Sequence, residues 1–273
     1  WTEEIKSVVP YILKVLGELD SDLVSTHWKM ELFRFICESP RLQSRDRQLV
    51  QDVLSLVLED GLTSDEYNNV VLYVSLVWDK LKSPKNILWP LEILEEIYSN
   101  PIQNQSEVND FAKTYIEDLY INKNSLDGSD ISLLESFFAD KKEVSLQLTG
   151  LLEETTIDQR KRSSIEALAS FLNYLKIGIY SLEETAAKGA RNYLLKLNTS
   201  AEIGLNHDKK CTDALESLYK RSDVFVFAAK AAKHAAFKCI PHQDLIYPAG
   251  KGSSSIINAI FAYLKSDRAT TMA

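Results

Sequence analysis

Cysteine is scarce: the chain has three, at positions 37, 211 and 239. An odd number at wide spacing supplies neither the disulfide framework of a small secreted fold nor a zinc-ligand pattern. A reducing, cytoplasmic compartment is the expectation. Long hydrophobic runs are missing as well. No apolar stretch approaches the roughly 20 residues that span a bilayer, and no secretory signal stands at the start, so no membrane is expected among the partners. The first residue is Trp1 rather than Met, which points to a piece of something longer. Also absent is any motif that names an enzyme class by itself. Residues 1–174 hold no cluster of catalytic residue types. His27 beside Trp28 reads as a helix-surface or core-edge histidine, and Trp78 and Trp89 read as packing residues. The residues name no cofactor and no metal site.

What is present is length and uneven charge. A chain of 273 residues can bury a sizeable core and is expected to form two domains. The net charge of -8 is not spread evenly: residues 171–273 carry 14 Lys+Arg against 9 Asp+Glu, and the rest carry 17 against 30. The acidic part is a poor surface for nucleic acid. The C-terminal part attracts anions, unless its lysines only solvate helix faces.

Residues 1–174 read as an all-helical domain. Apolar positions at helical spacing predict helices over Thr2–Glu18 (kinked or split at Pro10), Asp22–Cys37, Ser44–Glu59 and Ser64–Leu81. Others follow over 90–99, 105–121, 130–140 and 143–153, and one from Ile157 to Leu175. Pro40, Gly61, Pro84, Pro101 and Gly128 mark short connections, and Ser129 reads as a cap. Eight or nine amphipathic helices so joined imply an irregular bundle or a HEAT-like stack of pairs. No clean repeat period separates the two.

Near Lys176 the pattern changes to strand and helix in alternation. Lys176–Leu182, Ala201–Asn206, Asp223–Ala229 and Leu245–Tyr247 read as short apolar strands. Helices follow each, over Glu183–Leu197, Lys210–Arg221, Lys230–Ile240 and from the serines 253–255 onward, any of which can cap it. Four such units predict a small, parallel, doubly wound, Rossmann-like domain over 175–273. The fold class is therefore α plus α/β.

In open parallel sheets ligands bind beyond the carboxyl ends of the strands, where helix N-termini also point. After the first strand stand Ser181, Glu183 and Glu184; after the second, Asn206, His207, Asp208 and Lys209. Behind the third come Lys230, Lys233 and His234, and behind the fourth Gly250, Lys251, Gly252 and Ser253. All can bind or protonate a polar ligand. Each has a plainer reading beside it: Asn206-His207-Asp208 as a turn with an Asp cap, His234 as a packed helix residue, His242 as loop surface. Gly250-Lys251-Gly252 is not a phosphate loop, since Leu245 stands where the first glycine belongs and Gly252 replaces the Ser or Thr after lysine. A glycine turn opening a helix still offers backbone N–H groups to an anion.

Residues 175–265 resemble an uncharacterised bacterial family of small Rossmann-like domains of unknown function. The resemblance lies in His207-Asp208 after a strand, the apolar run Asp223–Ala229 leading to Lys233-His234, then Lys238, then the serine-rich helix start Gly252–Ser255. Lys233 stands where that family shows Ser or Asn. The resemblance implies a ligand-binding or nucleic-acid-associated module more than an enzyme.

Three functions follow as expectations. The first is binding of a phosphate-bearing ligand, nucleotide or nucleic acid, through 175–273. Residues 1–174 would then dock to other subunits or to the rest of a longer chain. The second is a His- or metal-dependent phosphoester hydrolase using His207, Asp208 and His234. The third is a pure protein–protein interaction scaffold. A bacterial phage-defence or DNA-processing system is the expected setting of the first reading, and large bacterial multi-protein systems, including those directed against phage, also use scaffold parts of the third kind.

Overall fold

The computed structural model describes residues 8–9, 11–12, 25–139, 141, 144–145, 148, 166–228, 236, 240–241 and 245–271. Most of the expected helices at 2–18 and 143–153, residues 157–165 of the one expected from Ile157 to Leu175, and nearly all of Lys230–Ile240 lie outside these residues; the described end of the Ile157–Leu175 helix is helical over 166–171 and then turns.

The described helices of the first half are α1 (Thr26–Glu38), α2 (Arg47–Leu58), α3 (Ser64–Leu81), α4 (Trp89–Tyr98), α5 (Gln105–Ile121) and α6 (Gly128–Phe138). The chain divides into two compact units: 1–125 with 138–153, and 126–137 with 154–273. In the first, α1 packs on α2 and α3, α2 on α4, and α5 on α3 and α4. The apolar stripe of each helix supplies the core: Phe33 and Ile36, Val50 and Leu54, Val70 and Val77, Ile93 and Leu94, and Tyr115 and Leu119 are all buried.

Polar groups fix the register between helices. Trp78 donates its indole N–H to Asp118 Oδ2 at 2.7 Å, and Ser55 donates to Glu96 Oε1 at 2.7 Å. Thr63 and Glu66 form a reciprocal capping box at the start of α3. The cap of α6 is Asp127, not Ser129. Asp127 Oδ1 accepts the N–H groups of Ser129 and Asp130, while Asp130 Oδ2 accepts that of Asp127.

The second unit holds β1 (Lys176–Tyr180), α7 (Glu184–Leu197), β2 (Glu202–Asn206), α8 (Asp213–Arg221), β3 (Val224–Phe227), β4 (Leu245–Ile246) and α9 (Ser253–Thr271). The four strands form one sheet in the order β2-β1-β3-β4, every neighbouring pair parallel. The fold is thus a helical part followed by a four-stranded parallel sheet with helices. α7 and α9 pack on each other and on the sheet, while α8 packs on β1 and β2. Leu215 and Leu218 of α8 join Tyr180, Phe225, Phe227, Ala236 and Ile240 in a buried cluster. Gly178 and Gly204 make room for that layer: a Cβ at either would collide with Phe225 or Leu218. The chain adds β2 on one side of β1 and β3 on the other, so the topological switch point lies between β1 and β3.

Cys211 takes part in a disulfide. Cys37 is a free, buried thiol. Among the described residues no helix is long and apolar enough to cross a membrane.

Candidate functional site

Strand register brings the carboxyl ends level. Tyr180 of β1 pairs with Asn206 of β2 and with Phe227 of β3. The ladder runs one residue further: the Ser181 N–H donates to the Asn206 carbonyl at 3.2 Å, and the Ala228 N–H to the Tyr180 carbonyl at 2.9 Å. The loops after β1, β2 and β3 therefore leave the sheet at one level.

His207 leans from its own loop onto the end of β1, its Nδ1 2.6 Å from the Ser181 carbonyl oxygen. A carbonyl only accepts, so Nδ1 carries the proton and the Nε2 of the neutral ring keeps its lone pair. The two residues beside it build the loop. The Asn206 side chain donates to Asp208 Oδ2 at 2.9 Å and accepts the Asp208 N–H at 3.0 Å. Thr212 donates its hydroxyl to the same carboxylate, and the Tyr180 hydroxyl donates to the Asp208 carbonyl at 2.8 Å. The Thr212 hydroxyl first, then the Asn206 amide and the charge of His207, hold the Asp208 carboxyl below its usual range. Asn206 and Asp208 act as supports for His207. The cap of α8 is Thr212, whose Oγ1 accepts the Leu215 N–H at 3.2 Å.

The loop after β1 adds negative charge. The Ser181 hydroxyl accepts the Glu183 N–H at 3.1 Å, and Glu184 pairs with Lys188 at 2.7 Å. That pairing holds the Glu184 carboxyl low, with His207 assisting. His207 thus lies in the field of two carboxylates, and this side of the rim does not favour an anion.

The turn after β4 has the opposite character. The Gly250 N–H donates to Ser255 Oγ at 2.5 Å, and the Ile256 N–H to the Gly252 carbonyl at 3.2 Å. Gly252 therefore stands at the N-cap position and the three serines lie inside the first turn of α9. Ser255 does not cap forward; it reaches back to close the turn. Ser254 and Ser255 are buried, while Lys251, Gly252 and Ser253 are half-buried. Lys251 and Ser253 each already interact within the protein. A Cβ at Gly189 of α7 would stand 2.9 Å from Ser253 Oγ, so α7 passes close beside the start of α9.

Lys230, Lys233 and His234, like Lys238 and His242, lie outside the described residues. Of the expected site, the structure thus places the loop after β2 and the turn after β4 beyond the carboxyl ends of parallel strands. Sequence reasoning missed Tyr180 and Thr212, which hold the His207 loop. Tyr247, read as the end of a strand, stands one residue past β4 as an exposed ring. Among the described residues no three His, Cys, Asp or Glu side chains group closely enough to hold a metal ion.

The chain matches no curated protein and no solved structure. A family model does match, over residues 2–259, covering the helical part as well as the sheet rather than 175–265 alone. The chain belongs to the DpdD-like family.

Proposed function

We propose that the second unit is a Rossmann-like module that binds a phosphate-bearing ligand, a nucleotide or a nucleic-acid end, at the carboxyl edge of its sheet. The observation that carries this reading is the Gly250–Ser253 turn. It follows a parallel strand after Tyr247-Pro248-Ala249, opens a 19-residue helix, and carries Lys251 between two glycines. Helix N-terminal N–H groups and the macrodipole favour an anion there. The phosphate belongs on this side of the rim, away from Glu183, Glu184 and Asp208. His207, with its Nε2 lone pair, suits a ligand hydroxyl better than a phosphate oxygen while it is neutral.

The first unit serves as the docking part, toward other protein subunits or the rest of a longer chain. Its exposed Trp28 on α1 and Leu72 and Leu76 on α3 support this. Membership of the DpdD-like family supports placing the protein in a bacterial defence system linked to DNA modification.

Calorimetric titration of the protein and of Lys251→Ala with nucleoside monophosphates and short 5′-phosphorylated oligonucleotides tests the proposal. Binding that weakens several-fold in the variant is expected. Equal affinities, or no binding by the parent protein, refute it.

A second reading, phosphoester hydrolysis, is favoured by one observation: the Ser181 carbonyl sets His207 in the tautomer a general base needs. Turnover of a phosphodiester substrate that disappears in His207→Ala would establish it.

A further inference from the structure

Three aromatic rings cross the carboxyl edge of the sheet, two at strand ends and one just past a strand. Tyr180 ends β1, Phe227 ends β3, and Tyr247 stands one residue beyond β4. Tyr180 and Phe227 stack, with centroids 4.7 Å apart and planes 21° from parallel. Phe227 meets Tyr247 edge to face at 6.3 Å and 66°. The first two rings are fully buried; Tyr247 keeps 47% of its surface exposed.

A single exposed aromatic is ordinary on a protein surface. Two features set this one apart. Its ring is braced by a buried ring instead of lying loose, so its orientation is partly fixed before anything binds. It also stands where the chain leaves the sheet for the Gly250-Lys251-Gly252 turn. At the far end of the row the Tyr180 hydroxyl holds the Asp208 carbonyl. The row therefore runs from the loop that carries His207 to the strand that leads to Lys251, and opens to solvent only at the lysine end.

We propose that Tyr247 is the stacking platform of the site, so that its ligand is a nucleobase carrying a phosphate. This rests on the phosphate reading above and narrows it. A free nucleotide and an unpaired nucleotide of a strand share that chemistry. A tyrosine has two side-chain torsions, so holding its ring against a base costs little conformational entropy. Every base has a π-face to offer, and stacking adds affinity without selecting sequence. A simple sugar phosphate has no such face and gains nothing from Tyr247.

The test is calorimetric titration of the full chain, Tyr247→Ala, Tyr247→Ile and Tyr247→Phe with AMP, ribose 5-phosphate and a 5′-phosphorylated oligothymidylate. Tyr247→Ala is expected to weaken AMP and oligonucleotide binding about tenfold and to leave ribose 5-phosphate unchanged. Tyr247→Ile keeps apolar contact with Phe227 and is expected to behave like the alanine variant even if that variant folds poorly. Tyr247→Phe is expected to bind as the parent does. Tighter binding of the oligonucleotide than of AMP assigns the ligand to a strand; the reverse order assigns it to a free nucleotide. AMP affinity untouched by Tyr247→Ala but lost in Lys251→Ala overturns the stacking role and leaves the phosphate reading standing. No binding of AMP or oligonucleotide by the parent overturns both.

Discussion

His207 Nδ1 lies 2.6 Å from the Ser181 carbonyl oxygen, so a side chain from the loop after β2 rests on the end of β1. The carbonyl has no proton to give, which fixes the neutral imidazole with its hydrogen on Nδ1. Long-range nitrogen–proton NMR of the imidazoles is expected to show this histidine protonated at Nδ1 and bare at Nε2. The opposite tautomer would mean that the ring has turned and the contact with β1 is not made.

Thr212 does two jobs with one hydroxyl: it accepts the Leu215 N–H at the start of α8 and donates to Asp208. Thr212→Ala is expected to cost about 1 kcal/mol from the cap. It should also let the Asp208 carboxyl rise toward its ordinary value of 3.8. The folded pKa lies below that value, so the carboxylate stabilises fully above it, and that contribution is lost as pH falls through the folded pKa. Urea unfolding at about pH 7 and about pH 3 should show the gap between parent and variant narrowing in acid. A gap that widens in acid contradicts the arrangement.

How much of this was legible in the sequence follows from the range over which each feature is decided. The runs Val224–Phe227 and Lys176–Tyr180 are local patterns, and they do form the parallel strands expected. The helix start expected at Ser64 is local too, and Thr63 caps it, whereas at α6 Asp127 outcompetes Ser129 because its carboxylate reaches two N–H groups at once. The serines at 253–255 announce a helix start, but that Ser255 points back to Gly250 depends on the shape of the turn. Strand order was out of reach, since only packing decides which strand lies central. So was the contact of His207 with a carbonyl 26 residues away. The joining of 126–137 to the sheet's own unit, fastened by Lys265 to Asp127 at 3.1 Å, links positions 138 residues apart.

Lys29 and Asp60 form an ion pair at 2.5 Å with side chains only 6% and 7% exposed, and Asp60 Oδ2 is buried without a hydrogen-bond partner among the described residues. Removing one partner strands a charge in the core, so Lys29→Met should cost about 3–5 kcal/mol. Replacing both, as Lys29→Met with Asp60→Leu, should recover most of that loss, because the desolvation of two charges disappears with their attraction. Denaturant midpoints of the two single variants and the double variant measure it. Additive losses would mean that the pair is not coupled.

Gly178 and Gly61 make opposite demands on an added methyl group. At Gly178 a Cβ would stand 2.5 Å from both Phe225 Cδ2 and Ser222 Oγ. The Phe225 ring belongs to the buried cluster and packs edge-on against Tyr219 at 5.3 Å. Alanine relieves the unfolded-state entropy of glycine by about 0.5–1 kcal/mol, but overpacking a filled core costs about 1–3 kcal/mol. Overpacking wins, and Gly178→Ala is expected to lower the unfolding midpoint. At Gly61 none of the described residues lies within 4 Å of the added carbon, and the strain comes from φ of 70°. Asparagine tolerates that region better than alanine, so Gly61→Asn should be milder than Gly61→Ala. Gly178 should show no such rescue by asparagine, because its obstacle is space and not backbone angle. Thermal unfolding of the four variants separates the two causes.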